Sequence, residues 1–246
     1  MGSNLDYITR FMTRSYEKSV DYYMLADKNY VVPRQKVHDY IVRVLSIPYS
    51  EFIDYTKDNK GVIEDDQLTQ SSNFAACSTE MCKAIESKGN PGMRFVEIGH
   101  LFPQYIKQQN DSAFRKYGEN QVKTSTQLGL TFEYYEYWYL TCVGYVFNEL
   151  DQQQKEALLA RTILRIPLYQ DLLLRLLKGD VLLTDYMTQI APSTQGRRSG
   201  SILRMLEFCL AECKHEGIKY HDLYYPVYEA KTKTIRIVQS PGCFSI

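Results

Sequence analysis

Apolar positions recur at three- and four-residue spacing over residues 5–26. Tyr7, Ile8, Phe11, Met12, Tyr16, Val20 and Tyr23 share one side of a helical wheel there, which predicts an amphipathic helix. Tyr30-Val31-Val32-Pro33 breaks it. Helical spacing resumes over residues 35–55 through Val37, Tyr40, Ile41, Val44, Leu45 and Phe52, with an interruption expected at Pro48. Residues 58–73 are polar and read as loop. The run Ser87-Lys88-Gly89-Asn90-Pro91-Gly92 is the strongest breaker cluster in the chain, so a boundary is placed there.

Two similar units follow. In the first, short helices are expected over 95–102 (ended by Pro103), 112–117 and 119–127, then a Tyr-, Phe-, Thr- and Trp-rich strand over 130–140, and a helix starting at Thr141. The second begins with a helix over 153–164. Pro167 starts another through Leu168, Leu172, Leu173, Leu176 and Leu177, which Gly179 stops. A short helix over 184–190 is capped by Thr184, Pro192-Ser193-Thr194 makes a turn, and residues 196–213 form the third helix. Residues 218–228 and 233–238 read as paired strands, because Thr234, Ile235, Arg236, Ile237 and Val238 alternate in polarity and are mostly β-branched. Helix, helix, turn, helix and hairpin is the winged-helix order. The expected fold is therefore mainly α with small β wings: an N-terminal helical region (1–88) preceding two winged-helix units (89–152 and 153–246).

That architecture points to double-stranded DNA, with the third helix in the major groove and the wing on the backbone or minor groove. On a wheel of residues 196–213, Ile202, Met205, Leu206, Cys209, Leu210 and Cys213 fall on one side and Arg197, Ser201, Arg204 and Phe208 on the other. Arginine's planar fork pairs with guanine O6 and N7, and serine hydroxyls serve base or phosphate. Arg198, nearer the packed edge, is assigned to phosphate or to a structural ion pair. Arginines at a helix start sit against its dipole, which favours a phosphate beside them. In the first unit, Asn120, Lys123, Thr124 and Gln127 face away from Val122, where the amides suit adenine N6 and N7. Lys231, Lys233 and Arg236 are the wing contacts to phosphate. Each of these sets is equally compatible with an ordinary solvated surface.

Composition bounds the picture. With 246 residues and 44% hydrophobic content the chain has enough material for one large domain or two to three small ones. Twenty-nine basic residues balance 29 acidic ones, so no global field draws the chain to nucleic acid, and DNA binding needs positive charge gathered on one face. The six cysteines are scattered and no signal-like segment opens the chain, so reduced thiols in the cytoplasm are expected. The longest greasy stretch, 137–147, is about half of the roughly 20 residues a membrane span needs.

The sequence holds no phosphate-binding Gly-Lys loop, no nucleophile elbow and no His-Glu-x-x-His helix. Asp222 followed by Glu229-Ala-Lys231 is the one stretch that fits magnesium-dependent nuclease chemistry, but its gap is short and the same residues are explained as a wing. Cys209, Cys213, His215 and His221 lack the paired spacing of a structural zinc site. No metal, cofactor or catalysis is expected in this chain, and His38 and His100 are read as core histidines.

The segments Lys116-Tyr-Gly-Glu-Asn-Gln-Val-Lys-Thr-Ser-Thr-Gln-Leu-Gly-Leu130, Tyr139-Leu-Thr-Cys-Val-Gly144, Leu164-Arg-Ile-Pro-Leu-Tyr169 and Gly196-Arg-Arg-Ser-Gly-Ser-Ile-Leu-Arg204 together resemble the winged-helix recognition modules of type II, in particular type IIS, restriction endonucleases. The shared pattern is a third helix ending in Leu-Gly, a wing strand closing on Leu-Thr-x-x-Gly, and a following Arg-Arg helix, over residues 93–238. The resemblance implies site-specific duplex binding, recognition residues on the third helix of each unit, and a nuclease or methyltransferase chain as partner. Such enzymes carry a separate nuclease domain, so cutting is expected to belong to another chain. A transcription regulator with the same fold and a compact magnesium nuclease are the alternatives.

Overall fold

The computed structural model describes residues 22–24, 31–46, 63, 70–71, 73–89, 92–176, 178–215, 224–229 and 234–239. It divides into two compact units, one comprising Met1–Ser46 and Asn73–Lys155, the other Ile47–Ser72 and Glu156–Ile246. The chain is mainly helical with small antiparallel sheets, as the sequence predicts.

The first unit opens with β1 (Tyr22–Met24) paired antiparallel to β2 (Val31–Pro33), so the helix expected over 5–26 does not extend through Tyr22–Met24. A Tyr- and Val-rich run is as good a strand as a helix, and pairing decides. Residues 5–21 lie outside the described residues. α1 (Arg34–Ser46) buries Val37, Ile41 and Val44 and ends two residues before Pro48, the predicted interruption. α2 (Phe74–Lys88) lies between the polar stretch 58–73 and the breaker cluster, where the sequence predicts no element, and runs into that cluster's first two residues; it buries Phe74, Cys77, Ser78, Met81, Cys82 and Ile85.

Met93 then forms a strand-like bridge with Trp138, through mutual backbone hydrogen bonds of 3.1 and 2.8 Å. α3 (Phe95–Gly99) follows, its start held by the Arg94 backbone N–H donating to Glu97 at 2.8 Å. A 3-10 turn covers Pro103–Tyr105, and α4 (Asp111–Gln127) is one continuous helix where two short ones were expected. Asn110 caps it, accepting from the Ala113 N–H at 2.9 Å. Gly118 does not break this helix. It lets α3 lie against α4, since a Cβ there would sit 1.9 Å from the Phe95 carbonyl oxygen, and one at Gly99 would sit 2.0 Å from that of Phe114.

The strand expected over 130–140 is a hairpin, β3 (Thr131–Tyr134) and β4 (Tyr137–Leu140), with Tyr134 opposite Tyr137. Its two-residue turn holds Tyr135 and Glu136 at φ 48° and 62°, a left-handed pair that normally favours Asn-Gly. Thr141 starts α5 (Cys142–Glu149) as predicted: its hydroxyl accepts from the Gly144 N–H at 3.0 Å and donates to the Gly129 carbonyl at 2.6 Å. α2 packs against α4, α5 and β4, which gathers the core around Met81, Ile98, Phe102, Val122, Leu140 and Phe147.

The unit boundary falls within α6 (Gln152–Ile163), after Lys155. In the second unit α7 (Pro167–Leu176) leads to β5 (Val181–Leu182), a 3-10 turn over Leu183–Tyr186, and α8 (Pro192–His215). β6 (Tyr224–Glu229) and β7 (Thr234–Gln239) complete a sheet ordered β5-β7-β6, antiparallel throughout. α7 packs on β5 and β7, and α8 on β6, over a core that includes Tyr169, Leu172, Leu183, Ile202, Met205 and Ile235. Pro192, read as part of a turn, is instead the first residue of α8, where its missing N–H costs nothing.

Candidate nucleic-acid interface

α8 presents two distinct faces. Ile202, Met205, Leu206 and Cys209 are buried, as the wheel requires, while Arg197, Arg204 and Glu207 are exposed. Arg198 is half-buried, in keeping with its edge position. Gln195 donates from one amide nitrogen to the Met187 carbonyl at 3.2 Å and the Ile190 carbonyl at 2.9 Å, tying the first turns of the helix to the segment before it. Gly196 and Gly200 lie between the two outward arginines and Ser193, and a Cβ at either would meet nothing within 4 Å. Unlike Gly99 and Gly118, these glycines are not required by packing inside the unit.

Two sequence expectations on this helix give way. Ser201, placed outward on the wheel, is buried with its hydroxyl donating to the Arg197 carbonyl at 3.3 Å. The dipole argument for Arg197 and Arg198 also weakens, because α8 begins at Pro192 and both residues sit beyond its first turn.

On α4, Lys123 is exposed and pairs with Glu119 at 2.6 Å, and Lys116 reaches the same carboxylate at 2.9 Å. The Lys123 contact and then that of Lys116 hold the Glu119 carboxyl below the usual range despite partial burial. Asn120 and Gln127 are half-buried. Thr124 is buried, not outward, and its hydroxyl donates to the Asn120 carbonyl at 3.0 Å. This helix packs on α2 and α3 and on β3, so less of its circumference is free than an isolated helix would offer.

Of the expected wing contacts, Arg236 is exposed on β7 and paired with Glu229 of β6. Lys231, Lys233 and Asp222 lie outside the described residues, so the acid and lysine grouping of the nuclease alternative meets the structure only at Glu229, which is engaged by Arg236. The first unit's hairpin has a different character: Glu133 and Glu136 are exposed, Tyr135 is 73% exposed, and residues 131–140 contain no lysine or arginine.

Cys77, Cys82, Cys142 and Cys209 are buried and form no disulfide. Burial pushes the Cys77 thiol up to about 11 and the Cys82 thiol up to about 12, which leaves both protonated and unreactive at neutral pH. No group of three metal-ligating side chains occurs among the described residues, and no described helix is long and apolar enough to cross a membrane. His100, expected in the core, is exposed beside the Phe114 ring, and His38 meets Glu149 at 3.2 Å.

Nothing in the sequence marks Arg94 and Arg115 as site residues. With Phe95, Val96, Glu133, Glu136 and Trp138 they line an open cleft of about 500 Å³ in the first unit. Arg94 lies over the Tyr137 ring at 4.6 Å, and Phe95 stacks on Trp138 at 4.0 Å. The cleft draws on a helix start, a second helix and a hairpin, so no local motif signals it.

Comparison with known protein families, curated proteins and solved structures gives no match.

Proposed function

We propose that this chain binds double-stranded DNA through two winged-helix units, with α8 of the second unit as the reading helix. One observation carries the proposal: the two units share one order of parts. Each contains, in order, a helix, a short strand segment, a short helix or 3-10 turn, a long helix and a hairpin. In each, the strand segment before the short helix pairs with the second hairpin strand, Met93 with Trp138 and Val181 with Ile235. That shared order supports a winged-helix reading, in which the exposed face of the long helix enters a groove and the hairpin flanks it.

Two further features favour α8 as the reader. Its outward stripe combines Arg197 and Arg204 with glycines that permit a close approach, whereas the corresponding face of α4 has its lysines bridged through Glu119. The first unit's hairpin is acidic and aromatic, the wrong charge for a phosphate-contacting wing. In the setting implied by the resemblance to type II restriction recognition modules, this chain holds the site and a partner chain cuts.

Duplex binding measured across a salt series tests the reading. Affinity should fall steeply with salt as neutralised phosphates release counterions. Arg204→Ala should cost about 1 to 3 kcal/mol at one base position, and Arg236→Ala should weaken all sequences alike. Absence of duplex binding at low salt would remove DNA from the account.

A further inference from the structure

We propose that the cleft between α3, α4 and the β3-β4 hairpin binds an unpaired guanine base. The cleft brings two arginines and two glutamates around an aromatic wall, and among the described residues no ion pair joins Arg94 or Arg115 to Glu133 or Glu136. Opposite charges that line one cleft ordinarily neutralise each other. Here each pair is carried by separate elements: Arg94 at the start of α3, Arg115 on α4, Glu133 on β3 and Glu136 in the turn.

The ligand chemistry follows from this arrangement. A simple anion would satisfy the arginines but meet two carboxylates, and a simple cation would meet the reverse conflict. A planar group with donors on one edge and acceptors on another satisfies both, and the half-buried Phe95 ring, backed by the buried Trp138 on which it stacks, supplies a surface for it to lie against. Guanine is the base that fits. Its N1–H and N2–H donors stand side by side for the two oxygens of one carboxylate, and its O6 and N7 acceptors stand side by side for an arginine fork. Adenine and cytosine place a donor beside an acceptor on the pairing edge, and uracil offers a single N–H. In a duplex guanine's donor edge is already taken, so the base must be unpaired, either in a free nucleotide or in a single strand. This assignment does not rest on the duplex-binding reading.

Trp138 is the only tryptophan of the chain, so its fluorescence reports on the cleft directly. The full-length protein, excited at the red edge of the absorption band to spare its 21 tyrosines, is titrated with GMP, IMP, AMP, CMP, UMP and inorganic phosphate. GMP should give a saturable change with an affinity roughly tenfold or more above the other nucleotides, including IMP, which lacks the N2 amino group. Glu133→Gln, Glu136→Gln and Arg115→Ala all alter exposed side chains, so they should leave the melting temperature unchanged; Arg115→Ala and at least one of the glutamine variants should weaken GMP by a similar factor.

Single-stranded oligonucleotides with one central guanine or adenine, and the duplex that pairs that guanine, separate the sources. A response to GMP alone assigns the free nucleotide, and a response to the guanine oligonucleotide assigns a strand. An equal response to every nucleotide and to phosphate, a GMP response that survives all three substitutions, or no response to either guanine source would overturn the proposal. Because duplex affinity is measured separately, through Arg204, loss of one reading leaves the other standing.

Discussion

Replacing Gly196 and Gly200 by alanine should strengthen the fold and weaken binding, an unusual combination that isolates what these residues are for. Glycine within a helix costs roughly 0.5 to 1 kcal/mol relative to alanine, chiefly through the freedom it loses on folding. A penalty of this kind persists in a packed helix when a side chain would collide, as at Gly118, where a Cβ would lie 1.9 Å from a carbonyl oxygen. At Gly196 and Gly200 nothing lies within 4 Å. The double variant should therefore gain about 1 to 2 kcal/mol, a rise in melting temperature of several degrees, read by thermal and urea melts. If the stripe is where the helix backbone nears a duplex, the added methyl groups should reduce DNA affinity in the same preparation. No gain in stability would refute the open-space argument. A gain with unchanged DNA affinity would refute the claim that the glycines serve a ligand.

Other perturbations test separate links. Leu206→Ala, at a buried position of α8, should cost about 2 to 5 kcal/mol in denaturant melts, and an unchanged midpoint would contradict its place in the core. Tyr135→Asn with Glu136→Gly should stabilise the first unit by about 1 kcal/mol, since both backbones are left-handed and the new pair suits that turn; a loss would mean that the native side chains compensate. Thr141→Val should cost about 1 to 3 kcal/mol, because it leaves the Gly144 N–H and the Gly129 carbonyl without their shared partner. The Glu119 carboxyl is lowered in the folded state, so its contribution is present above the ordinary carboxylate range and disappears as pH falls through the lowered value. Glu119→Gln should flatten that acid limb of the stability profile by about 0.3 to 0.5 kcal/mol, and an identical profile would contradict the pairing with Lys116 and Lys123.

Much of the second unit was legible because its apolar residues fall at strict helical or alternating intervals, as in α7 and β7. The errors have identifiable causes. α2 carries a weak signal in the sequence because Ala75, Ala76, Cys77 and Ser78 dilute the apolar stripe that Phe74, Met81 and Ile85 continue. The sequence divides α4 at Gly118, since a glycine that admits a neighbouring helix and one that ends a helix look alike in a single sequence. The Tyr-Glu turn carries none of the usual hairpin signature, so β3 and β4 merged into one strand. Polarity alone puts Thr124 and Ser201 on the surface, but both are buried. Each hydroxyl finds a carbonyl four residues back in its own helix, which makes burial inexpensive. Of the candidate site, the arginine stripe could be read from α8 alone, whereas the cleft around Trp138 needs three elements folded together.

The sheet order of the second unit has a consequence for how that unit is made. β7 is the middle strand, hydrogen-bonded to β5 on one side and β6 on the other, yet it is synthesised after both. Until it emerges, β5 has no partner within this sheet and α7, which packs on β5 and β7, lacks part of its cover. A ribosome stalled before Thr234 would thus hold a nascent chain with its helices formed and its sheet unassembled, and protection from protease should arrive in a single step when β7 is released rather than growing strand by strand.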